Sequence, residues 1–235
     1  MNISGKKAVV FGGTSGIGLA TVKMLAQAGA QVTAIGRNPP KPGQLPQGVT
    51  ASQCDVRDAA AIEKLLDSLA PYDILVSAAT GGDRATGPFL DMDMDGFKAS
   101  FDKLWGYANV VRHGARHVTD GGSISLVSGA PARHCKPGQI ALSSVGAAVE
   151  AMVRALAVEL APRIRINVVS PGTIDTPMVA LQGAERAALY DKMTAGNLIP
   201  RAGTADEVAQ GILFVIGNDF VTGTTVDVDG GWLLS

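Results

Sequence analysis

An excess of charge of either sign is missing from this sequence. Twenty Lys plus Arg stand against 21 Asp plus Glu, a formal net charge of −1, so no global field draws the chain to nucleic acid or to an anionic membrane surface. Neither is expected as a partner. Cysteine is also scarce: Cys54 closes an apolar run and Cys135 lies in a polar stretch, with no CxxC or His-rich pattern that would signal a disulfide framework or structural metal. Of only three histidines, His113 and His117 are spaced i,i+4, but without a third ligand or an HExxH context no metal is expected. A long N-terminal apolar run is missing as well. After Met1-Asn2-Ile3-Ser4-Gly5-Lys6-Lys7 only four apolar residues precede glycine, too few for a signal-peptide core or a membrane span, and a cytoplasmic protein is expected. No repeat and no linker is visible. The Pro-Pro-Lys-Pro-Gly stretch from Pro39 to Gly43 reads as a rigid surface connection, because a strand pattern resumes within a few residues.

What is present is apolar and periodic. With 46% hydrophobic residues over 235 positions, the chain can bury one substantial core, and a single domain over residues 1–235 is expected. Short apolar runs alternate with longer helical patterns, the signature of βαβ units around a parallel sheet covered on both faces. Ala8–Phe11, Val32–Ile35, Val49–Cys54, Ile74–Ser77, Ser123–Val127, Ile164–Val169 and Thr225–Val228 read as seven strands. Gly16–Ala28, Asp58–Ser68, Gly96–Thr119, Gln139–Leu160 and Ala205–Gly217 carry helical spacing. The expected fold is therefore α/β: a doubly wound, seven-stranded parallel sheet of the Rossmann type in a three-layer α/β/α arrangement. Gly96–Thr119 is expected to pack beside Gln139–Leu160, a pairing of the kind that becomes a subunit interface.

Directly after the first strand comes Gly12-Gly13-Thr14-Ser15-Gly16-Ile17-Gly18, opening the first helix. Glycine there lets the backbone turn sharply and approach a pyrophosphate, whose charge sits on the unsatisfied amides of a helix N-terminus. The second strand ends Ile35-Gly36-Arg37-Asn38. An acidic residue at that end would accept hydrogen bonds from the free ribose 2′-hydroxyl of NAD; Arg37 instead offers a guanidinium fork suited to a 2′-phosphate. Ser15, with Thr14, adds hydroxyl donors. NADP(H) is therefore expected ahead of NAD(H).

These residues resemble the classical short-chain dehydrogenase/reductase family, and the match continues along almost the whole chain. Gly12, Gly16 and Gly18 fit its glycine motif, and Cys54-Asp55-Val56 fits the segment that holds the adenine, with Asp55 toward its amino group. Asp73-Ile74-Leu75-Val76-Ser77-Ala78-Ala79-Thr80 looks like the family's fourth strand, whose usual ending Asn-Asn-Ala-Gly is here Ser77-Ala78-Ala79-Thr80. Arg165 to Met178, with Pro171-Gly172-Thr173-Ile174-Asp175-Thr176, resembles the segment that cradles the nicotinamide; the resemblance implies that Ile174 bonds the carboxamide through its backbone and Thr176 through its hydroxyl. The tail, from Gly203 to Ala209 and from Val226 to Gly231, also fits. The resemblance further implies a homodimer or homotetramer, and a segment over Met178–Leu198 that closes over substrate.

In the family a tyrosine phenol transfers the proton, and a lysine one turn later lowers its pKa and binds the ribose. A serine holds the substrate oxygen and an asparagine anchors a water relay. Ser128, ending Ser123-Ile124-Ser125-Leu126-Val127-Ser128-Gly129, fits the serine. Where Tyr-x-x-x-Lys is expected, the sequence aligned on Gly146-Ala147-Ala148-Val149 places Ile140 at the tyrosine and Ser144 at the lysine, and no tyrosine occurs between Tyr107 and Tyr190. Isoleucine cannot exchange a proton, and serine carries no charge. The asparagine aligns with Lys103, which shares a helical face with Tyr107. A lysine in a half-buried cleft can have a depressed pKa and relay protons. In the following loop, Arg133 and Lys136 could meet an anionic group, and the His134 imidazole is a candidate replacement acid.

The resemblance implies an NADP(H)-dependent oxidoreductase acting on a small carbonyl or alcohol with a non-standard proton donor. One alternative is a catalytically silent NADP(H)-binding sensor or assembly protein. Another is a repurposed site for imine reduction or elimination.

Overall fold

The structure, a computed structural model, describes residues 1–80 and 82–235. Strands β1 (Lys7–Phe11), β2 (Gln31–Gly36), β3 (Thr50–Gln53), β4 (Tyr72–Ser77), β5 (Val118–Val127), β6 (Ile164–Pro171) and β9 (Thr225–Val228) form one seven-stranded sheet in the order β3-β2-β1-β4-β5-β6-β9, every pair parallel. Two short strands, β7 (Ile174–Asp175) and β8 (Gly203–Thr204), pair separately. Helices α1 (Gly16–Gln27) and α7 (Ala205–Gly217) cover one face; α2 (Ala59–Leu69), α4 (Asp102–Gly114) and α5 (Ile140–Leu160) cover the other. The expected Rossmann-type three-layer architecture is the observed one.

Alternation along the strands produces the two layers. In β1, Ala8 and Val10 join Val22, Leu25, Ile212 and Val215 on one face. Val9 and Phe11 join Tyr107, Val110, Val149 and Val153 on the other. Because both faces of a parallel strand are buried, it reads as an unbroken apolar run. The chain order reverses at β1 and β4, and in such sheets ligands bind beyond the carboxyl ends of the strands at that point.

One element reading differs from the structure, and one helix is additional to those read. Gly96–Thr119 is not one helix. Asp93 caps α3 (Met94–Ser100) by accepting from the Asp95 and Gly96 amides, Phe101 separates α3 from α4, and a short 3-10 turn leads from Ala115 into β5. Ser100 Oγ donates back to Gly96 O and accepts from Ala85 N, a side-chain competition that ends helices. The Met178–Leu198 segment contains a further helix, α6 (Gly183–Thr194). By length and composition alone α5 could cross a bilayer; its Val145, Val149 and Val153 stripe is packed in the core.

Candidate active site

The glycine loop is built by contacts that exclude side chains. A Cβ on Gly12, at φ +75°, would lie 2.8 Å from Ala79 N, and one on Gly18 would overlap Gly12 O. So the β4 tail and the first turn of α1 close onto the loop only because these residues are glycine. At Gly16 a Cβ would sit 3.6 Å from Thr176 Cβ, which puts the loop beside the segment expected to hold the nicotinamide. Ser15 occupies the α1 N-cap but makes no side-chain cap bond, and the first turn holds no acidic residue; nothing there repels an anion. Thr14 packs its hydroxyl and methyl against Gly36 at the end of β2, next to exposed Arg37. These features fit a pyrophosphate at the start of α1 with its adenosine beside Gly36.

Other expected coenzyme residues are placed less simply. The Asp55 carboxylate is tied to Arg57, at 2.6 Å from its Nη2, and the Arg57 hydrogen bond holds its pKa below the usual carboxylate value. The Val56 side chain is buried against Gly106 of α4, which leaves only its main chain for a ligand. Ser77 Oγ, at the end of β4, is buried without a hydrogen-bond partner among the described residues. Ala78 N–H donates to Phe11 O, fixing Ala78 and Ala79 over Gly12. Beyond Pro171, Gly172 lies against the Asp229 main chain, and β7 carries Ile174 into Thr176. The Thr176 amide donates to the Tyr190 hydroxyl, and its carbonyl accepts from Arg186. Arg186 also holds Asp175, Val179 O and Leu181 O and lies over the Tyr190 ring. Sequence reasoning misses this clamp, because isolated Arg and Tyr in a mixed segment read as solvent-facing.

Ser128 follows the carboxyl end of β5 and is 6% exposed. Lys103, on α4 and 7% exposed, donates from Nζ to Ser128 O at 3.0 Å, while Tyr107 donates to Val127 O at 2.9 Å. Both therefore reach the end of β5 from one helical face, as their spacing requires. Burial, reinforced by the nearby Arg84 charge, brings the Lys103 pKa down to about 7. The Tyr107 phenol is pushed far up by burial, so it is a core hydroxyl.

The 130–138 loop departs from expectation. Arg133 is already ion-paired: its Nε lies 3.3 Å from Glu150 Oε2 and its terminal nitrogens hold Asp227 on β9. His134 packs edge-on against Trp232, with centroids 5.0 Å apart, and the Lys136 ammonium sits over the same ring. His113 and His117 each meet a carboxylate of α2, Glu63 and Asp67.

The register of α5 also differs. A Cβ on Gly146 would meet Ala132 Cβ at 2.9 Å and Gly129 O at 3.5 Å, so the helical face at Gly146 is the one applied to the loop beside Ser128. At about 100° per residue, Leu142 and Glu150 flank that face by about 40° on either side, whereas Ile140 lies about 120° away and Ser144 about 160°. Ile140 is exposed at the helix start. The positions turned toward the Ser128 loop are Leu142, Gly146 and Glu150. Glu150, buried and accepting the Ser128 hydroxyl at 3.0 Å, escapes a sequence reading because a glutamate in a long helix normally reads as solvated.

A family model described as Enoyl-(Acyl carrier protein) reductase matches residues 12–233. The L-xylulose reductase of Bos taurus is 31% identical, covering 99% of this chain and 98% of its own. Among solved structures, a small-chain dehydrogenase in complex with NADPH superposes with a TM-score of 0.83 at 31% identity, covering 99% of this chain and 100% of that one. A blue fluorescent protein from a metagenomic library, in complex with NADPH, has a TM-score of 0.83 at 27% identity, covering 99% of both chains.

Proposed function

The chain belongs to the short-chain dehydrogenase/reductase family, and from that premise we propose that it exchanges hydride between NADP(H) and a small carbonyl or alcohol, with Lys103 in place of a tyrosine as proton donor. The observation that carries this reading is the buried Lys103 ammonium on Ser128 O, with its pKa near 7. A group titrating near the working pH is both protonated often enough and acidic enough to give its proton. His134, engaged with Trp232, is the less suitable donor.

Coenzyme binding is assigned to Gly12, Gly16, Ile17 and Gly18 at the pyrophosphate, Thr14, Ser15 and Arg37 at the phosphorylated ribose, and Asp55 and Val56 at the adenine. Ser77, Ala78 and Ala79 line the middle, with Pro171, Gly172, Ile174 and Thr176 at the nicotinamide. When bound, the nicotinamide accepts or returns the hydride. Two solved relatives are NADPH complexes, which supports the phosphorylated form. Ser128 meets the substrate oxygen.

In this reading the tyrosine and lysine of the family have no counterpart in either register: Ile140 and Ser144, or Leu142 and Gly146, carry no ionisable group. That same observation favours a second reading, a silent NADP(H) sensor. A homodimer or homotetramer is proposed through α4 and α5, which leave Trp105 64% and Val158 81% exposed. Steady oxidation of NADPH across a panel of small ketones, aldehydes and imines tests the choice: turnover that drops in Ser128→Ala supports the enzyme, and coenzyme binding without turnover supports the sensor.

A further inference from the structure

Glu150 takes the one hydrogen that Ser128 has to give. Its carboxylate is 3% exposed on α5, and Ser128 Oγ donates to its Oε1 at 3.0 Å. A buried carboxylate persists only when paired and hydrogen-bonded. Here Ser128 supplies one partner and Arg133 the other, Nε at 3.3 Å from Oε2, with Arg133 itself braced by Asp227. The arrangement depends on Gly146, one turn before Glu150. Because Gly146 has no side chain, Ala132 reaches the helix surface and the following residue, Arg133, comes down onto Glu150.

The chemical consequence concerns the ligand. A hydroxyl has one donor hydrogen and two acceptor lone pairs. With its hydrogen committed to Glu150, Ser128 can accept a hydrogen bond from a bound group but cannot donate one. A carbonyl oxygen, which only accepts, gains nothing from it; a hydroxyl does.

We propose that Glu150, held by Arg133, fixes Ser128 as a hydrogen-bond acceptor and thereby makes this site select alcohols over the corresponding carbonyl compounds. This rests on the oxidoreductase reading above and narrows it to a site that binds the hydroxyl form of its substrate more tightly than the carbonyl form. Glu150 acts through Ser128 and is a positioning residue. The alcohol has a single hydroxyl hydrogen: in the bound state it is donated to Ser128 Oγ, and on oxidation that same proton leaves Ser128 for Lys103 in its neutral amine form, Lys103 standing on the Ser128 carbonyl.

The arrangement also predicts what an isosteric change does. In Glu150→Gln the amide oxygen turns to Arg133, which only donates, and the NH2 faces Ser128. The serine then accepts from the glutamine, and its own hydrogen is released toward the ligand, converting the site to a donor.

The test has two arms. Isotope-edited infrared spectroscopy of the Glu150 carboxylate, on the protein without coenzyme, is compared between wild type and Ser128→Ala. A shifted carboxylate stretch is expected, and an unchanged band overturns the pairing whatever the protein's activity. Calorimetry then measures cyclohexanol with the NADPH form and cyclohexanone with the NADP⁺ form, so that neither complex reacts. Relative to wild type, Glu150→Gln is expected to tighten the ketone on the order of fivefold, the worth of one hydrogen bond, and to leave the alcohol, whose oxygen accepts as well as donates, nearly unchanged. Equal changes for both probes, or none, overturn the selectivity claim. Absence of coenzyme heat refutes the oxidoreductase reading and with it the selectivity, while the infrared arm still decides the pairing.

Discussion

Lys103 Nζ lies 3.0 Å from the main-chain oxygen of Ser128, which places a lysine ammonium at the residue expected to meet the substrate. Burial favours the neutral amine and sets the pKa near 7 instead of 10.5. Between those values the unfolded chain holds a proton that the folded chain lacks, so stability rises with pH across that interval; the burial penalty is fully present below pH 7. The size is on the order of 5 kcal/mol. Lys103→Met is therefore expected to melt higher than wild type at about pH 6, by roughly 2–4 °C per kcal/mol recovered, with the gap closing toward about pH 10. Reduction by wild type should fall as pH rises through about 7, while Lys103→Met loses ~10²-fold or more in kcat together with that limb. Calorimetric melts and a pH–rate series check both.

Arg37 stands at the end of β2, next to Gly36 and the Thr14 side chain packed on it. Arg37→Ala should weaken NADPH by about ten- to a hundredfold, the value of a charge-assisted fork on a phosphate, and leave NADH nearly unchanged. Fluorescence titration with each coenzyme reads the ratio. Equal losses for the two would remove the phosphate contact from Arg37.

Restoring the family pair is obstructed by packing. Leu142→Tyr with Gly146→Lys puts a side chain where Ala132 Cβ already lies 2.9 Å from the place a Gly146 Cβ would take. Overpacking of this kind costs about 1–3 kcal/mol, and the loop carrying Arg133 must move. Ile140→Tyr with Ser144→Lys, further round the helix, should be tolerated and gain no activity. Thermal melts of the two double variants separate the registers: a larger loss in the Ile140/Ser144 pair would restore the alignment read from sequence.

Arg186 ties Asp175 to the main chain at Thr176, Val179 and Leu181. Arg186→Met should free this strap, raise KM for coenzyme several-fold and speed proteolytic cleavage between residues 176 and 182. Limited proteolysis with and without NADPH reports it, coenzyme protecting wild type more than the variant.

The layered fold is legible in the sequence because short runs rich in apolar residues, such as Ala8–Phe11 and Ile164–Val169, read as buried strands when glycines and helical patterns punctuate them. The glycine loop is legible because its spacing is a steric requirement: Gly12 and Gly18 admit no Cβ. Helical spacing puts Lys103 and Tyr107 on one face, and both do reach the end of β5. The α3–α4 break is hidden because Ser100 and Phe101 interrupt a pattern that remains apolar on one face. The α5 register is hidden because Ile140 and Ser144 lie only two residues from Leu142 and Gly146, a slip that turns the helix by about 200°. The Glu150–Ser128–Arg133 cluster joins residues that only the folded chain brings together.

Calorimetric titration of the purified chain with NADPH and, separately, NADH tests the central claim most directly. Saturable heat is expected with NADPH, at an affinity about tenfold or more above that for NADH, equivalent to ~1.4 kcal/mol. Tighter NADH binding would contradict the assignment of Arg37, and no heat with either coenzyme would contradict the whole account.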